Sequence, residues 1–338
     1  MLGEVLKKDN TVETVRGLAC ILLVAYHVVG DTSLSGLKVA DDSFIRYIND
    51  TLSYLRMPLF TFLSGYVYAI RPYSGGAYSF LKGKARRLLI PMLIVGTAFA
   101  ILQSLVPQSN RSLSSSDWLM LHIEPVAHYW FLESLFIIFI FTIFMEKGGI
   151  LNSRAKCAFT IILVSIIYLF GENLPNTLGV SGALYLFPYF LLGVATYRFS
   201  LVPSKWSYKL AIFLIAIVAF VYANLGLLGY AETVGRHTIT SLCIGGGGAL
   251  LLLSSRLNSR VLVYIGGYSY SIYLFHVFAT SSSRIFLNKL GVSEHLILLP
   301  IGVVAGLLMP ILVEHIALRW NVSATALLGR RWTAEAAR

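Results

Sequence analysis

Two ionisable side chains interrupt the first apolar stretch of the sequence, RGLACILLVAYHVV at residues 16–29. Arg16 begins this stretch, and His27 lies eleven positions later. Eleven steps along an α-helix turn through about 1100°, which leaves the two side chains within about 20° of each other on one helix face and about 16 Å apart along the axis. A guanidinium binds anions, whereas an imidazole titrates near neutral pH and can take a proton from a hydroxyl. The spacing therefore predicts a cation at one end of a helix face and a general base deeper along it.

Other ionisable residues also lie in or beside apolar stretches. His276 lies within VLVYIGGYSYSIYLFHVFA, Glu133 follows His128 in HYWFLESLF, and Asp31 comes one turn after His27. Ionisable residues inside a membrane are costly and usually line a functional site, although His276 could equally be a hydrogen-bonded structural residue. We expect Asp31 to be close enough to orient His27.

Four basic residues precede another apolar stretch, in FLKGKARRLLIP at residues 80–91. Lys82, Lys84, Arg86 and Arg87 have two explanations. They are typical of the basic residues that flank membrane spans on the cytoplasmic side. They could also clamp the phosphates of an anionic cofactor, for which arginine is well suited. The motif alone does not separate the two.

The composition indicates a membrane protein. Of the 338 residues, 57% are hydrophobic and only 13% are charged, and the mean hydropathy is +0.73. A soluble chain would carry about a quarter charged residues. Several apolar stretches of roughly twenty residues are long enough to cross a bilayer as helices, and they are continuous rather than alternating, which excludes a barrel. The fold class predicted is an all-α integral membrane protein.

Ten transmembrane helices are predicted in a single domain over residues 1–338. They lie at 13–30, 53–70, 88–106, 129–146, 155–171, 183–200, 207–225, 237–254, 260–280 and 295–318. With both termini cytoplasmic, most of the 27 lysines and arginines fall on cytoplasmic segments. The outer segments hold only Lys38, Arg46, Arg56, Arg111, Arg236, Arg284 and Lys289. This asymmetry explains the net charge of +11 without a nucleic-acid partner.

The three cysteines give no sign of metal or disulfide chemistry. Cys20, Cys157 and Cys243 all fall in or beside apolar stretches, and no spacing typical of metal ligands occurs. We read them as small packing residues and expect no metal.

Five stretches, in this order, resemble the acyltransferase-3 family of multispanning bacterial membrane acyltransferases. They are RGLACILLVAYH, MPLFTFLSGYVY, KARRLLIP, HYWFLESLF and YSYSIYLFH, with LFPYFLLG as a weaker sixth. Together they extend over residues 16–276. The resemblance implies ten core helices and a stand-alone form without a fused esterase-like domain. It also implies that Arg16 and His27 are the family's Arg, ten residues, His signature. Lys84 and Arg87 match the family's basic pair, in which the first residue is usually arginine.

The resemblance implies O-acetylation of cell-envelope glycans in the cytoplasmic (inner) membrane. The donor expected is acetyl-CoA or another short acyl-CoA, with its phosphates on Lys82, Lys84, Arg86, Arg87 and Arg16. Its thioester would follow the Arg16 face to His27, the general base, although a covalent acyl-histidine is also open. Glu133 or Asp31 would hold the tautomer of His27, and His276 would contact the acceptor or an oxyanion. The partners expected are acyl-CoA, an envelope glycan and membrane lipid.

Two other classes of function fit part of the pattern. A transporter or flippase could use histidines within the membrane as a proton relay. A purely structural or sensory membrane protein would leave the alignment of Arg16 with His27 unexplained. The ordered family motifs favour the enzyme.

Overall fold

The computed structural model describes residues 9–106, 114–172, 174–175 and 177–331. These ranges are helical and contain no β-strand, apart from an isolated bridge between Leu121 and Glu124. Short 3-10 helices occur at Ala127–Tyr129, Ile150–Asn152 and Thr177–Gly179. The α-helices are α1 (Asn10–Val29), α2 (Phe44–Thr51), α3 (Ser53–Ile70), α4 (Ala77–Leu105), α5 (Ser115–Leu119), α6 (Trp130–Lys147), α7 (Arg154–Leu169), α8 (Val180–Arg198), α9 (Trp206–Leu227), α10 (Ile239–Ser254), α11 (Arg260–Gly267), α12 (Ser269–Lys289), α13 (His295–Ala317) and α14 (Asn321–Leu328). The predicted all-α class is confirmed.

Six helices of the described chain are long and apolar enough to cross a membrane, or seven if α11 and α12 form one broken span. The six are α1, α4, α6, α8, α9 and α13, two of them together with the 3-10 turn that precedes them. Helices also cover the other predicted spans, but α7 and α10 have 16 residues each and measure about 24 Å, less than a hydrocarbon core of about 30 Å. The predicted count of ten is therefore not confirmed. The cytoplasmic location of both termini stays a prediction, and residues 1–8 and 332–338 lie outside the described ranges.

Two predicted spans differ from the helices observed. The predicted span at 88–106 is the second part of α4, which begins at Ala77 and therefore carries the four basic residues on its own first turns. The predicted span at 260–280 is broken at Tyr268, where α11 and α12 meet at 82°. Helix α12 then continues to Lys289. Hydropathy does not report such breaks, because both halves are apolar.

The core lies between α1, α3, α6 and α8, whereas α9, α4 and α13 present apolar side chains outward. Phe190 and Leu191 of α8 are completely buried, while Phe213 and Val218 of α9 are exposed. Exposed apolar side chains on a membrane-spanning helix face lipid, so α9 lies at the periphery of the bundle.

Glycines let two pairs of helices meet backbone to backbone. A Cβ atom at Gly65 of α3 would overlap the carbonyl oxygen of Phe190 on α8, and one at Gly193 of α8 would overlap that of Phe62 on α3. In lipid, where the hydrophobic effect does not drive helix association, such close packing is a main source of attraction between helices.

Close backbone contact at glycines also holds α11 against α1. Gly17 of α1 touches the backbone of Leu262, and Gly266 of α11 touches that of Glu13. The break between α11 and α12 is therefore fixed next to α1, and α12 enters the bundle beside the helix that carries His27.

Candidate active site

Three histidines from distant parts of the sequence form a cluster. His27 lies on α1, His128 in the 3-10 turn before α6, and His276 on α12. The ring centroid of His27 is 5.4 Å from that of His128 and 4.8 Å from that of His276, and the last two are 4.8 Å apart. The three imidazoles are thus in mutual contact.

Backbone carbonyls fix the protons of the two buried rings. The Nδ1 atom of His276 lies 2.8 Å from the carbonyl oxygen of Ile272 and 3.0 Å from that of Tyr273. The Nε2 atom of His128 lies 3.0 Å from the same Tyr273 oxygen. A carbonyl oxygen can only accept, so each of these nitrogens carries the proton. His276 Nε2 and His128 Nδ1 are then lone-pair acceptors, and both are buried without a partner among the described residues.

His27 is the least buried of the three histidines. His276 is 0% exposed and His128 is 6% exposed, whereas His27 is only half-buried and lines a cavity of about 460 Å³. This volume is within the range of small-molecule sites, roughly 300–1,000 Å³. His128 also lines the cavity, and the described lining does not include His276. Of the two histidines in the described lining, His27 has the more accessible imidazole.

One wall of the cavity is built by the segment that follows α1. The carbonyl oxygen of Gly30, at the end of α1, accepts hydrogen bonds from the side chains of Arg46 and Asn49 on α2. Asn49 in turn accepts a hydrogen bond from Arg56 of α3 through both its backbone oxygen and its Oδ1 atom, the latter at 2.8 Å. These contacts hold α2 and the start of α3 over the end of α1 that carries His27.

Arg56 connects this wall to the histidine cluster. Its guanidinium carbon lies 4.5 Å from the centroid of the Tyr26 ring, and Tyr26 meets the His27 ring edge to face at 4.9 Å. Arg56 is 4% exposed and lines the cavity. The sequence had placed it only among the outer basic residues.

The two predicted carboxylate partners of His27 have other neighbours. Asp31 lines the cavity, but its carboxylate accepts a hydrogen bond from the hydroxyl of Ser35. Both carboxylate oxygens of Glu133 are buried and lack a hydrogen-bond partner within the described ranges. Neither side chain forms a hydrogen bond with His27 there, so their role in fixing its tautomer stays a prediction.

The predicted cation sites lie at the other end of the bundle. The hydroxyl of Tyr270, near the start of α12, donates to the carbonyl oxygen of Arg87, whereas Arg284, near its end, donates to Gly36 at the cavity. Fourteen helical residues separate these two levels of α12, about 21 Å. The described cavity lining includes neither Arg16 nor any of the four basic residues of α4. The predicted passage from this end to His27 therefore stays a prediction.

The four basic side chains of α4 have different surroundings. The Nζ atom of Lys84 lies 3.7 Å from the centroid of the Phe139 ring, and Arg86 donates from Nε to the carbonyl oxygen of Gly329 at 3.2 Å. Lys82 and Arg87 are exposed. Arg16 pairs with Glu13 on its own helix, with 2.8 Å between Nη1 and Oε1. The exposed pair is thus the part of the cluster with cations free to meet an anion.

Comparison with known proteins identifies the family. The family described as an acyltransferase domain matches residues 9–315, which is most of the chain and includes all three histidines. The chain belongs to the acyltransferase-3 family. The resemblance found in the ordered motifs is thereby confirmed.

One curated relative of this acyltransferase-3 chain is nodulation protein NolL of Mesorhizobium japonicum. The two are 28% identical over 193 residues, which is 55% of this chain and 47% of NolL. The chain thus spans about half the length of the curated relative it matches. No solved structure matches it. In the described residues of this acyltransferase-3 domain, no group of histidine, cysteine, aspartate or glutamate side chains has the geometry to hold a metal ion.

His128 was not among the predicted catalytic residues, because the sequence placed it at the outer boundary of a span. The structure turns it inward. Ala127, the first residue of the 3-10 turn, has a positive φ of 46°, and this turn places the His128 ring against His27 and His276. The sequence did contain a signal for His128. It lies directly before a predicted span, in a chain that has two further histidines, His27 and His276, within predicted spans.

Proposed function

We propose that this protein is a membrane-embedded O-acyltransferase. It moves an acetyl or another short acyl group from the corresponding cytoplasmic acyl-CoA to a hydroxyl of a cell-envelope polysaccharide or lipid-linked glycan. The observation that supports this most is the position of His27, whose imidazole lies on the wall of a cavity with two buried imidazoles behind it. Membership of the acyltransferase-3 family supports the reaction class. We also propose that residues 1–338 form one transmembrane domain, located in the inner membrane.

In this proposal His27 is the general base. One of its ring nitrogens removes the proton of the acceptor hydroxyl while that oxygen forms a bond to the thioester carbonyl carbon. The carbon–sulfur bond then breaks, and His27 returns the proton to the departing thiolate sulfur of CoA. The glycan gains an ester, the imidazole ends neutral as it began, and nothing is oxidised or reduced.

We assign His276 and His128 a positioning role. Each has one unprotonated nitrogen without a partner among the described residues, and each ring lies within 5.4 Å of the His27 ring. If the N–H of His27 donates to either nitrogen, the lone pair of its second nitrogen is left for the substrate. The geometry favours these imidazoles over Glu133 and Asp31 as the groups that hold the tautomer of His27.

The donor is proposed to enter from the end of the bundle that carries the basic residues. Phe99 of α4 contacts the His128 ring, with 6.3 Å between centroids, and lies twelve residues beyond Arg87. Twelve helical residues measure about 18 Å. A phosphate group at Arg87 and a thioester at His27 would thus be separated by about this length along α4, and the pantetheine arm of CoA would connect the two.

We expect Arg87→Gln to raise the KM for acetyl-CoA about tenfold with little change in kcat, because one charge-assisted hydrogen bond to phosphate is lost while the groups at His27 remain. Initial rates against acetyl-CoA concentration measure both constants. Lys156→Gln is the matched control, since Lys156 is also exposed and is predicted to face the same side of the membrane. An unchanged KM in Arg87→Gln would remove Arg87 from the donor site.

A transporter or flippase remains the alternative class, and the contact between three imidazoles is the observation that would suit a proton relay. The two functions differ in whether a thioester is consumed. An enzyme releases CoA only when an acceptor is present, whereas a transporter has no use for acetyl-CoA.

The test uses membranes that contain the protein, acetyl-CoA labelled in the acetyl group, and a crude envelope glycan fraction. We expect label in the glycan, as an ester that mild base releases, in a one-to-one ratio with free CoA thiol. Mass spectrometry of the labelled glycan then identifies the acceptor and the acyl group. Release of CoA that is equal with and without glycan, and equal to that of membranes without the protein, would contradict the proposed function.

A further inference from the structure

The charges on the wall of the His27 cavity are unbalanced. Three arginines line it, Arg56 from α3, Arg236 from the segment before α10, and Arg284 from α12. Asp31 is the acidic residue of the described lining, and its carboxylate is already hydrogen-bonded to Ser35. Within the described ranges none of the three arginines forms an ion pair with a carboxylate. The cavity therefore has a surplus of positive charge.

Arg56 is the most informative of the three because it is buried. It is 4% exposed, and its Nε atom is inaccessible and has no hydrogen-bond partner in the described part of the chain. Its Nη2 atom donates to Asn49, and the face of the Tyr26 ring gives the cation partial compensation. Asp50 acts on Arg56 only from beyond ion-pair distance, and a buried cation without a direct ion pair is costly, as are unpaired buried donors. An anion in the cavity beside Arg56 would supply the missing charge.

Arg236 and Arg284 differ in how free they are. Arg284 donates from Nη1 to the carbonyl oxygen of Gly36, which ties α12 to the loop after α1. The side chain of Arg236 is exposed, and its backbone oxygen accepts from the hydroxyl of Tyr168. Its guanidinium has no hydrogen bond or ion pair with the described residues. Arg236 is thus a cation at the cavity that is held by its backbone and free at its charged end.

We propose that the acceptor of the acyl group is anionic, with its negative group held by Arg56 and Arg236 while a nearby hydroxyl faces His27. This inference rests on the proposed function and names the substrate class of that site. The Tyr26 ring contacts both Arg56 and His27, so an anion at Arg56 lies about one aromatic ring away from the base. The shared chemistry is a carboxylate or phosphate group. It could belong to an acidic sugar or to the pyrophosphate that links a glycan to a lipid carrier.

Two pairs of probes separate these sources. The first pair is an oligosaccharide that contains one hexuronic acid and the same oligosaccharide with its carboxyl group reduced to an alcohol. The second pair is a neutral oligosaccharide attached to a polyprenol through pyrophosphate and the same sugar attached to the polyprenol through a neutral ether. Binding of each tritiated probe to the protein in lipid nanodiscs, without acetyl-CoA, tests the inference independently of catalysis. Transfer of labelled acetyl to each probe tests the proposed function.

We expect the charged member of at least one pair to bind about tenfold more tightly than its neutral partner, as a charge-assisted hydrogen bond allows. Arg236→Gln should abolish that preference, and Arg71→Gln should keep it, because Arg71 is exposed at the far end of α3 and absent from the cavity lining. A preference in the first pair assigns the anion to the sugar, and a preference in the second assigns it to the lipid carrier. Arg236→Gln is preferred to substitution of Arg56, whose contacts with Asn49 also hold the fold.

Equal binding of charged and neutral probes in both pairs would overturn the inference, as would a preference that survives in Arg236→Gln. Selective binding without acetyl transfer to any acceptor would contradict the proposed function and leave the anion site in place. Transfer to charged and neutral probes at equal rates and with equal affinities would support the acyltransferase and refute the anionic acceptor.

Discussion

Gly65→Val is expected to prevent stable folding of the protein. Its side chain would overlap the carbonyl oxygen of Phe190, which is backbone of α8 and cannot move aside like the end of a flexible side chain. Helices α3 and α8 would have to separate along the contact that also includes Gly193 and Phe62. Overpacking of this kind costs about 1–3 kcal/mol and more where backbone is involved, and a membrane bundle has no hydrophobic effect between its helices to offset it. The yield of monodisperse protein in detergent and its thermal unfolding midpoint measure the effect.

Gly83→Ala is the matched control for that experiment. Gly83 also lies within a helix, α4, but a Cβ atom there would meet nothing within 4 Å. The intrinsic preference of alanine over glycine in a helix is about 1 kcal/mol, so this variant should be at least as stable as the parent. A Gly65→Val protein that unfolds at the parent's midpoint would show that α3 and α8 do not meet as described.

The general architecture could be predicted because the positions and lengths of the apolar stretches can be read directly from the sequence. The apolar stretches predicted the positions of the helices, and the low content of charged residues predicted that they lie in a membrane. The break at Tyr268 and the early start of α4 at Ala77 could not be read in the same way. Apolar residues flank Tyr268 on both sides, so the break leaves no trace in the hydropathy. The first turns of α4 contain basic residues, which are as compatible with a loop as with a helix. The number of spans depends on how the shorter helices sit relative to lipid, which composition does not determine.

His27 and His276 were singled out from the sequence as ionisable residues within apolar stretches, whereas His128 and Arg56 were not assigned to the site. The helix position of His27 and the similar depth of His276 are local properties of α1 and α12, and the structure brings the two rings together. The inclusion of His128 depends on the left-handed backbone of Ala127, a residue type that gives no sign of it. Arg56 looked like an ordinary basic residue near a span boundary, and only the packing of α2 and α3 shows that it is buried beside Tyr26.

His27→Ala is expected to reduce kcat for acyl transfer about a thousandfold, the usual contribution of a general base, while the protein remains folded. His27 is the member of the cluster that is half-buried on the cavity wall, and its removal leaves no titratable nitrogen at the same place. The rings of His128 and His276 are held in place by the carbonyl oxygens of Tyr273 and Ile272, and their remaining nitrogens are buried, so neither ring occupies the place of His27 on the cavity wall. His315→Ala is the control, because His315 is exposed near the other end of the bundle, where it contacts Tyr268.

The initial rate of acetyl transfer at saturating acetyl-CoA measures the contribution of His27 to catalysis. It is measured for the parent, His27→Ala and His315→Ala. Each protein is purified, shown to unfold at the same midpoint temperature and reconstituted in equal amounts. We expect full transfer by the parent and by His315→Ala, and transfer by His27→Ala at about a thousandth of that rate. A folded His27→Ala protein that transfers acetyl groups at the parent's rate would show that His27 is not the general base.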